Sequence, residues 1–215
     1  MTFTTDQLRN SIRQGDCIEV MRQMPSRSVD FILTDPPYLV RYKDRSGRSI
    51  ANDDNADWLE PAYREMYRIL KNDSLAVSFY GWTQTDRFMQ AWRKAGFRIV
   101  GHIVFRKKYA SRSRFVSYTH ESAYVLAKGR PELPENPPAD VIDFPYSGNR
   151  LHPTQKPVAA LTPLIEAFCP EDGLVLDPFC GSGSTLVAAT EAGCNYIGIE
   201  IDRAYHGIAA RRLAA

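Results

Sequence analysis

The stretch from Gly173 to Glu200, "GLVLDPFCGSGSTLVAATEAGCNYIGIE", decides the fold. Its apolar run "GLVLD" reads as a buried strand, "GSTLVAATEAG" as a helix and "NYIGIE" as a second strand. Between the first strand and the helix stand Gly181 and Gly183, which permit a tight turn and close approach of a ligand to the backbone. The helix start offers free N–H groups. Glu200 closes the second strand, 19 residues after Gly181, where an acid can hold both ribose hydroxyls. A dinucleotide site would carry a third glycine at position 186, where this chain has Leu186. The pyrophosphate fingerprint is thus incomplete, which fits a nucleoside without pyrophosphate and argues against a nicotinamide dehydrogenase.

Working outward, strands and helices alternate along the chain. "IRQG" reads as a short strand, "CIEVMRQM" as a short helix and "SVDFILTD" as a buried strand. Residues 41–57 lack periodicity and read as a mobile loop. "WLEPAYREMYRILK" carries helical spacing, with Leu59, Ala62, Tyr63, Met66, Ile69 and Leu70 on one face. "SLAVSFYG" is a strand and "TQTDRFMQAWRKAG" a helix closed by Gly96. "FRIVGHIVFRKK" and "ESAYVLAKG" read as two strands joined by a basic loop, residues 106–118, with no helix between them. Residues 130–151 are proline-rich and read as irregular. "KPVAALTPLIEAFC" and "DRAYHGIAARRLA" are further helices. This rhythm predicts an α/β fold, a doubly wound, mostly parallel sheet with an antiparallel edge hairpin. Ligands on such sheets bind beyond the C-terminal ends of the strands.

Two strand ends carry the chemistry: "VLDPFCGSGST" and "LTDPPYLV", Leu33 to Val40. In the second, two adjacent prolines cannot continue a sheet, since neither has an N–H to donate. They also hold the preceding residues extended. Asp35 and Tyr38 therefore flank a rigid bend, which is either a costly turn or a prebuilt polar site.

The 215 residues suffice for one domain with a sizeable core. No apolar run approaches membrane length, and the N-terminus lacks the pattern of a signal peptide. The four cysteines, Cys17, Cys169, Cys180 and Cys194, form no C-x-x-C pair and no zinc-like cluster, so no metal is expected. They read as reduced and buried or half-buried, in a cytosolic protein. Net charge is only +2, but no acid occurs from Arg87 to His120, while nine basic residues do. Aromatic residues are interleaved there, the look of a surface that tracks phosphates and stacks bases. The alternative is a solvated face whose aromatics lie in the core.

Taken together, "DPPY" and "DPFCGSGST" resemble the amino-group DNA methyltransferases that use S-adenosylmethionine. The permuted order, with the catalytic motif first, "HPTQKP" at 152–157 next and the glycine loop last, resembles the β group of that family, and "RQGDCIEVMRQMPSRSVDFILTDPPY" is similar to its N-terminus. The resemblance spans essentially the whole chain and implies a single domain, 1–215, with the Rossmann-like methyltransferase fold. It implies that Asp35, Pro36, Pro37 and Tyr38 are catalytic and that Asp35 also meets the cofactor. It assigns Asp177, Phe179, Gly181, Ser182, Gly183 and Thr185 to the cofactor loop and Glu200 to the ribose. Asp16 and Cys17 match the segment that lies against the cofactor adenine in relatives. His152, Thr154 and Lys156 match the motif near the methionine end, where Lys156 could meet the carboxylate. Each has a plainer reading: Asp16 as a helix cap, Asp177 as a loop brace, Phe179 as core, His152 as a turn residue.

The chemistry explains the bend. The lone pair of an exocyclic base amine is delocalised into the ring. An acceptor on each N–H, Asp35 and the Pro36 carbonyl, pulls the nitrogen toward sp³ and localises that pair. The face of Tyr38 can replace the stacking that the extruded base gives up. The resemblance implies N6 of adenine in double-stranded DNA as the target. Methylation of cytosine N4, methylation of RNA or a protein amide, and a catalytically silent DNA-binding regulator stay open as alternatives.

The chain departs from larger relatives in having only residues 130–151 where they carry a substantial base-reading insert. Base and backbone contacts are therefore expected from the basic loop, through Arg106, Lys107, Lys108, Arg112 and Arg114, with residues 41–57 as a second source, and with a short or relaxed site or help from a second subunit of a homodimer. The resemblance implies a cytoplasmic, DNA-associated protein of a bacterium, phage or mobile element, and it does not choose between restriction, regulation and self-protection.

Overall fold

The computed structural model describes residues 3–43, 47, 49–110, 115–148 and 150–214. In chain order its elements are α1 (Thr5–Leu8), β1 (Ser11–Gln14), α2 (Cys17–Arg22), β2 (Val29–Thr34), α3 (Leu59–Ile69), β3 (Leu70–Phe79), a 3-10 turn (Trp82–Gln84) and α4 (Thr85–Ala95). Then follow β4 (Arg98–Arg106), β5 (His120–Lys128), β6 (Val141–Asp143), α5 (Val158–Phe168), β7 (Leu174–Asp177), α6 (Ser184–Glu191), β8 (Asn195–Glu200) and α7 (Arg203–Leu213).

The eight strands form one sheet in the order β1-β8-β7-β2-β3-β5-β4-β6. β2 and β7 lie at its centre, paired in parallel through Phe31 with Val175 and Ile32 with Leu176. Both are apolar on both faces, which is why neither shows polar alternation. Side chains on β2 divide between two cores by the strand's period of two. Ile32 faces the core built with α2, α3 and α4, which includes Met21, Tyr63, Met66 and Trp92. Phe31 and Leu33 face the core built with α5 and α6, which includes Leu161, Leu164 and Ala188. The predicted doubly wound architecture is therefore present.

Two details differ from the sequence reading. β5 runs antiparallel to both β3 and β4, but the hairpin is not the sheet's edge. Residues 141–143, inside the proline-rich segment, add β6 in parallel to β4, pairing Val104 with Val141 and Arg106 with Asp143. A three-residue strand within a run of prolines has too little periodicity to be read. β3 also begins earlier than expected, at Leu70, because α3 passes into it with an extended Leu70 and no intervening turn.

In segment 41–57, residues 41–43 and 49–53 lie against each other. Among its described residues, Arg41 N–H donates to the Asp53 carbonyl at 3.0 Å and Tyr42 N–H to Asp53 Oδ2 at 2.6 Å. Trp58 closes the segment, its indole N–H donating to the Asn52 carbonyl at 2.9 Å.

Just beyond β3, Gly81 packs on the bend after β2. A Cβ at Gly81 would stand 2.5 Å from the Tyr38 carbonyl oxygen and 2.8 Å from Tyr38 Cβ. Gly81→Ala should therefore cost about 1–3 kcal/mol, the range for overpacking a tight site. A urea melt with an unchanged midpoint would show that the backbones separate freely.

Candidate active site

The centre of the sheet is its topological switch point. From β2 the chain crosses through α3 to β3 on one side; from β7 it crosses through α6 to β8 on the other. No helix therefore fills the crevice where β2 and β7 end together. One cavity occupies that crevice. Its lining includes the whole bend Asp35 to Tyr38 on one wall and Asp177, Phe179, Gly181 and Glu200 on the other. Asp16 and Cys17 close one end, while His152, Thr154 and Lys156 come from the segment before α5. Ser182 and Thr185 also line it.

The second wall is shaped for a nucleoside. Gly181 has a φ of +52°, and a Cβ there would stand 3.4 Å from the His152 ring. Glu200 is buried, its Oε2 accepting from Gly181 N–H and its Oε1 from Asp202 N–H, both at 2.8 Å. A carboxylate has about four acceptor sites, so capacity remains for a ligand's diol. Phe179 meets Trp58 edge-on at 5.1 Å, which fixes an aromatic wall. Cys17 and Cys180 stay thiols, because burial pushes both well above the ordinary range. Asp177 accepts from Phe179 N–H at 3.1 Å, and burial pushes its carboxyl up to about 7.

Several plainer readings hold alongside. Asp16 does cap α2, its Oδ1 accepting from Ile18 and Glu19 N–H at 2.8 and 3.2 Å. His152 does brace a turn: Thr154 N–H donates to its Nδ1 at 3.3 Å, and its ring packs on Tyr205 at 4.3 Å. Gly183 is not part of the lining. It starts α6 with a φ of +81°, and its Cβ position faces Ala209 at 3.2 Å, so it serves close packing of α7.

The first wall holds a buried charge cluster that the sequence did not reveal. Lys156 Nζ lies 2.6 Å from Asp35 Oδ2 and 3.0 Å from Glu121 Oε2. Glu121, at the start of β5, also meets Lys107 Nζ at 2.5 Å. Tyr38 O–H donates to Asp35 Oδ1 at 2.7 Å. Positive and negative groups thus alternate from Lys107 through Glu121 and Lys156 to Asp35. The Lys156 side chain is only 6% exposed, while Asp35 keeps 21%, facing the cavity it lines.

Each group's proton affinity follows from its neighbours. Burial pushes Asp35 up, the Lys156 ammonium pulls it back, and the balance lies above the usual carboxylate range. Burial alone would push Glu121 up as well, but two ammonium groups hold it down at about 2. Burial would lower Lys156, but Asp35 and Glu121 outweigh it and keep it charged. Glu121 escaped the sequence reading because it sits 86 positions from Asp35 and belongs to no motif of the kind used there. A lone acid opening an apolar strand was the only signal.

This cluster adds to one expectation and corrects another. Lys156 lines the cavity, as expected, and its ammonium is also held by two protein carboxylates. Lys107 is 7% exposed at its side chain and paired inward, so it cannot track a phosphate. The rest of the basic run is also partly neutralised. Arg106 pairs with Asp143 at 2.8 Å and Lys94 with Glu60 at 2.6 Å. Lys108 is exposed, while Arg112 and Arg114 lie outside the described residues.

Comparison with known proteins gives the class to which this fold belongs. The DNA methylase family profile matches residues 29–211, and the chain belongs to that family. It is 59% identical over 202 residues, 94% of this chain and 89% of the other, to a protein of Escherichia coli (strain K12) named as a methylase, YubD. It is 30% identical over 242 aligned positions to the DNA adenine methyltransferase YhdJ of the same organism, with 94% and 82% of the two chains covered. Among solved structures, the M1.HpyAVI–SAM complex superimposes with a TM-score of 0.76 at 23% identity, covering 95% and 99%. The cytosine-N4-specific PvuII DNA methyltransferase gives 0.79 at 18%, covering 95% and 86%.

Removing one partner of a buried ion pair leaves the other uncompensated, at a cost of about 3–5 kcal/mol. Lys156→Ala, which strands Asp35 beside Glu121, should lose stability in that range by urea denaturation at neutral pH. The loss should shrink as pH falls and Asp35 takes up a proton. A pH-independent loss would mean that packing, not charge, explains the residue.

Proposed function

We propose that this protein transfers a methyl group from S-adenosylmethionine to the N6 amino group of an adenine extruded from double-stranded DNA. The observation that carries the reading is that the Asp35–Tyr38 bend and the Glu200–Gly181 wall face one cavity. The cavity's donor set suits the cofactor: Glu200 for the ribose diol, Phe179 as an aromatic wall, and Asp16 with Cys17 for the base. Bound there, S-adenosylmethionine supplies a sulfonium-activated methyl group.

The chain's own residues supply alignment and acceptors. Asp35 accepts one hydrogen of the target amine and the Pro36 carbonyl the other, which localises the nitrogen lone pair. Both Asp35 oxygens already accept one donor, from Lys156 and Tyr38, and each keeps capacity for another. The carboxylate is therefore aimed before the base arrives, so little reorganisation is needed. Once the nitrogen is cationic, Asp35 is positioned to take its proton, while Lys156 stays charged and holds the carboxylate in place. The Tyr38 ring gives the extruded base a face to stack on. A relative named as an adenine methyltransferase supports adenine over cytosine.

Incubating the protein with DNA and labelled cofactor, followed by nucleoside analysis, should yield N6-methyladenine; N4-methylcytosine would replace adenine as the target. Label on RNA or protein but not DNA would refute the reading. Asp35→Ala should bind cofactor, seen by calorimetry, and transfer no methyl groups. Wild-type turnover in that variant would remove Asp35 from the chemistry.

The pH profile follows from the cluster. Asp35 must be ionised to accept, and its folded pKa is raised, chiefly by burial. Activity is therefore present at neutral pH and lost as pH falls through a value above the ordinary carboxylate pKa of about 4. Glu121 raises Asp35 and the Tyr38 hydroxyl lowers it. The acid limb of kcat should thus move to lower pH in Glu121→Gln and to higher pH in Tyr38→Phe. Tyr38→Phe should keep most activity near neutral pH, and Tyr38→Ala should lose binding by about 1–3 kcal/mol of stacking. Limbs that coincide in all three proteins would show that the ionisation belongs elsewhere.

A further inference from the structure

The 3-10 turn after β3 places an aromatic ring beside the catalytic bend. Gly81 is in contact with the Tyr38 backbone, so the next residue, Trp82, stands at the bend's flank. Its indole is 66% exposed, whereas Trp58 and Trp92 are 5% and 0% exposed. The turn is held firmly: Gln84 N–H donates to the Gly81 carbonyl at 2.9 Å, and Thr85 Oγ1 donates to the Trp82 carbonyl at 2.7 Å. One face of Trp82 is stacked on Tyr118, with ring centroids 5.8 Å apart and planes 26° apart. Among the described residues no second ring covers the other face. Phe115 and Val116, just before Tyr118, are exposed as well.

A tryptophan this exposed, fixed on a rigid turn and backed by a tyrosine, is an apolar patch that implies a partner. The charge near it indicates which kind. Lys107 N–H donates to the Thr119 carbonyl at 2.8 Å, so exposed Lys108 follows on the backbone beside Tyr118. Exposed Arg87 stands in the first turn of α4, next to exposed Asp86. An exposed flat ring with cations on the neighbouring elements suits a nucleobase in a phosphate chain.

We propose that Trp82, backed by Tyr118, is a stacking platform for a nucleobase next to the extruded one, on the DNA that the protein methylates. The inference rests on the DNA methyltransferase reading. The base slides onto the indole's outer face and continues the Trp82–Tyr118 stack, while the basic residues meet its backbone. Stacking of this kind tolerates any base, so the platform holds the strand open without adding sequence preference.

Tryptophan emission tests it. Trp58 lines the cofactor cavity, so the protein is first saturated with S-adenosylhomocysteine and then titrated with mixed-sequence duplex DNA. DNA should quench the emission and shield it from acrylamide, and Trp82→Phe should abolish most of that response. Trp82→Ala should melt like the wild type, bind S-adenosylhomocysteine normally and raise the KM for DNA about tenfold, with the loss in KM rather than kcat. Trp82→Phe should recover most of that loss. If the wild type methylates DNA while Trp82→Ala shows an unchanged KM, or DNA leaves the emission unaltered, the platform is refuted and the methyltransferase reading stands. If the wild type neither binds nor labels DNA, both fall.

Discussion

The parallel pairing of β2 with β7 is the constraint on which the site depends. These strands lie about 145 residues apart in the chain, as Phe31 opposite Val175 and Ile32 opposite Leu176. Because both are apolar on each face, they are stable only at the centre of a sheet covered by helices on both sides. Once they are neighbours, their C-terminal ends must open on the same side. That single geometric consequence brings Asp35 and Asp177 to opposite walls of one cavity. The helices that follow them leave in opposite directions, so neither helix fills the crevice.

The pocket's two walls differ in their electrostatics. The nucleoside wall is built mostly from backbone: Gly181 and Asp202 N–H groups satisfy Glu200, and Phe179 N–H braces Asp177. The reacting wall is built from charges. Lys156 and the Tyr38 hydroxyl bond Asp35 in a place where an isolated carboxylate would be driven neutral by burial. Glu121 then prevents Lys156 from being an uncompensated cation, and Lys107 does the same for Glu121. On the proposed reading such a chain has a direct use, because an acceptor for the target amine must be ionised and must not turn. Two donors from fixed side chains achieve both.

The exposed surface near this wall is less basic than the run of arginines and lysines suggested. Arg106, Lys107 and Lys94 each meet an acid from another element, 14 to 37 positions away. Composition counts charges along a chain, whereas partners are chosen across the fold. An acid-free stretch therefore does not guarantee a cationic face. The aromatics of the same stretch divide in the same way: Trp92 and Phe97 enter the core, while Trp82, just ahead of the run, is left in solvent.

The sequence by itself determined the architecture and most of the cavity lining. Buried parallel strands are written as continuous apolar runs, glycines mark the turn that φ requires, and paired prolines end a strand by removing donors. These are local rules, readable from neighbours in the chain. Only the tertiary structure decided β6, the packing role of Gly183, and the buried chain from Lys107 through Glu121 to Lys156. A three-residue strand has no period of its own. A glycine's use depends on the helix that crosses it. Ion pairs between residues 14, 35 and 121 positions apart share no spacing to detect, because what selects them is the low-dielectric interior that folding creates.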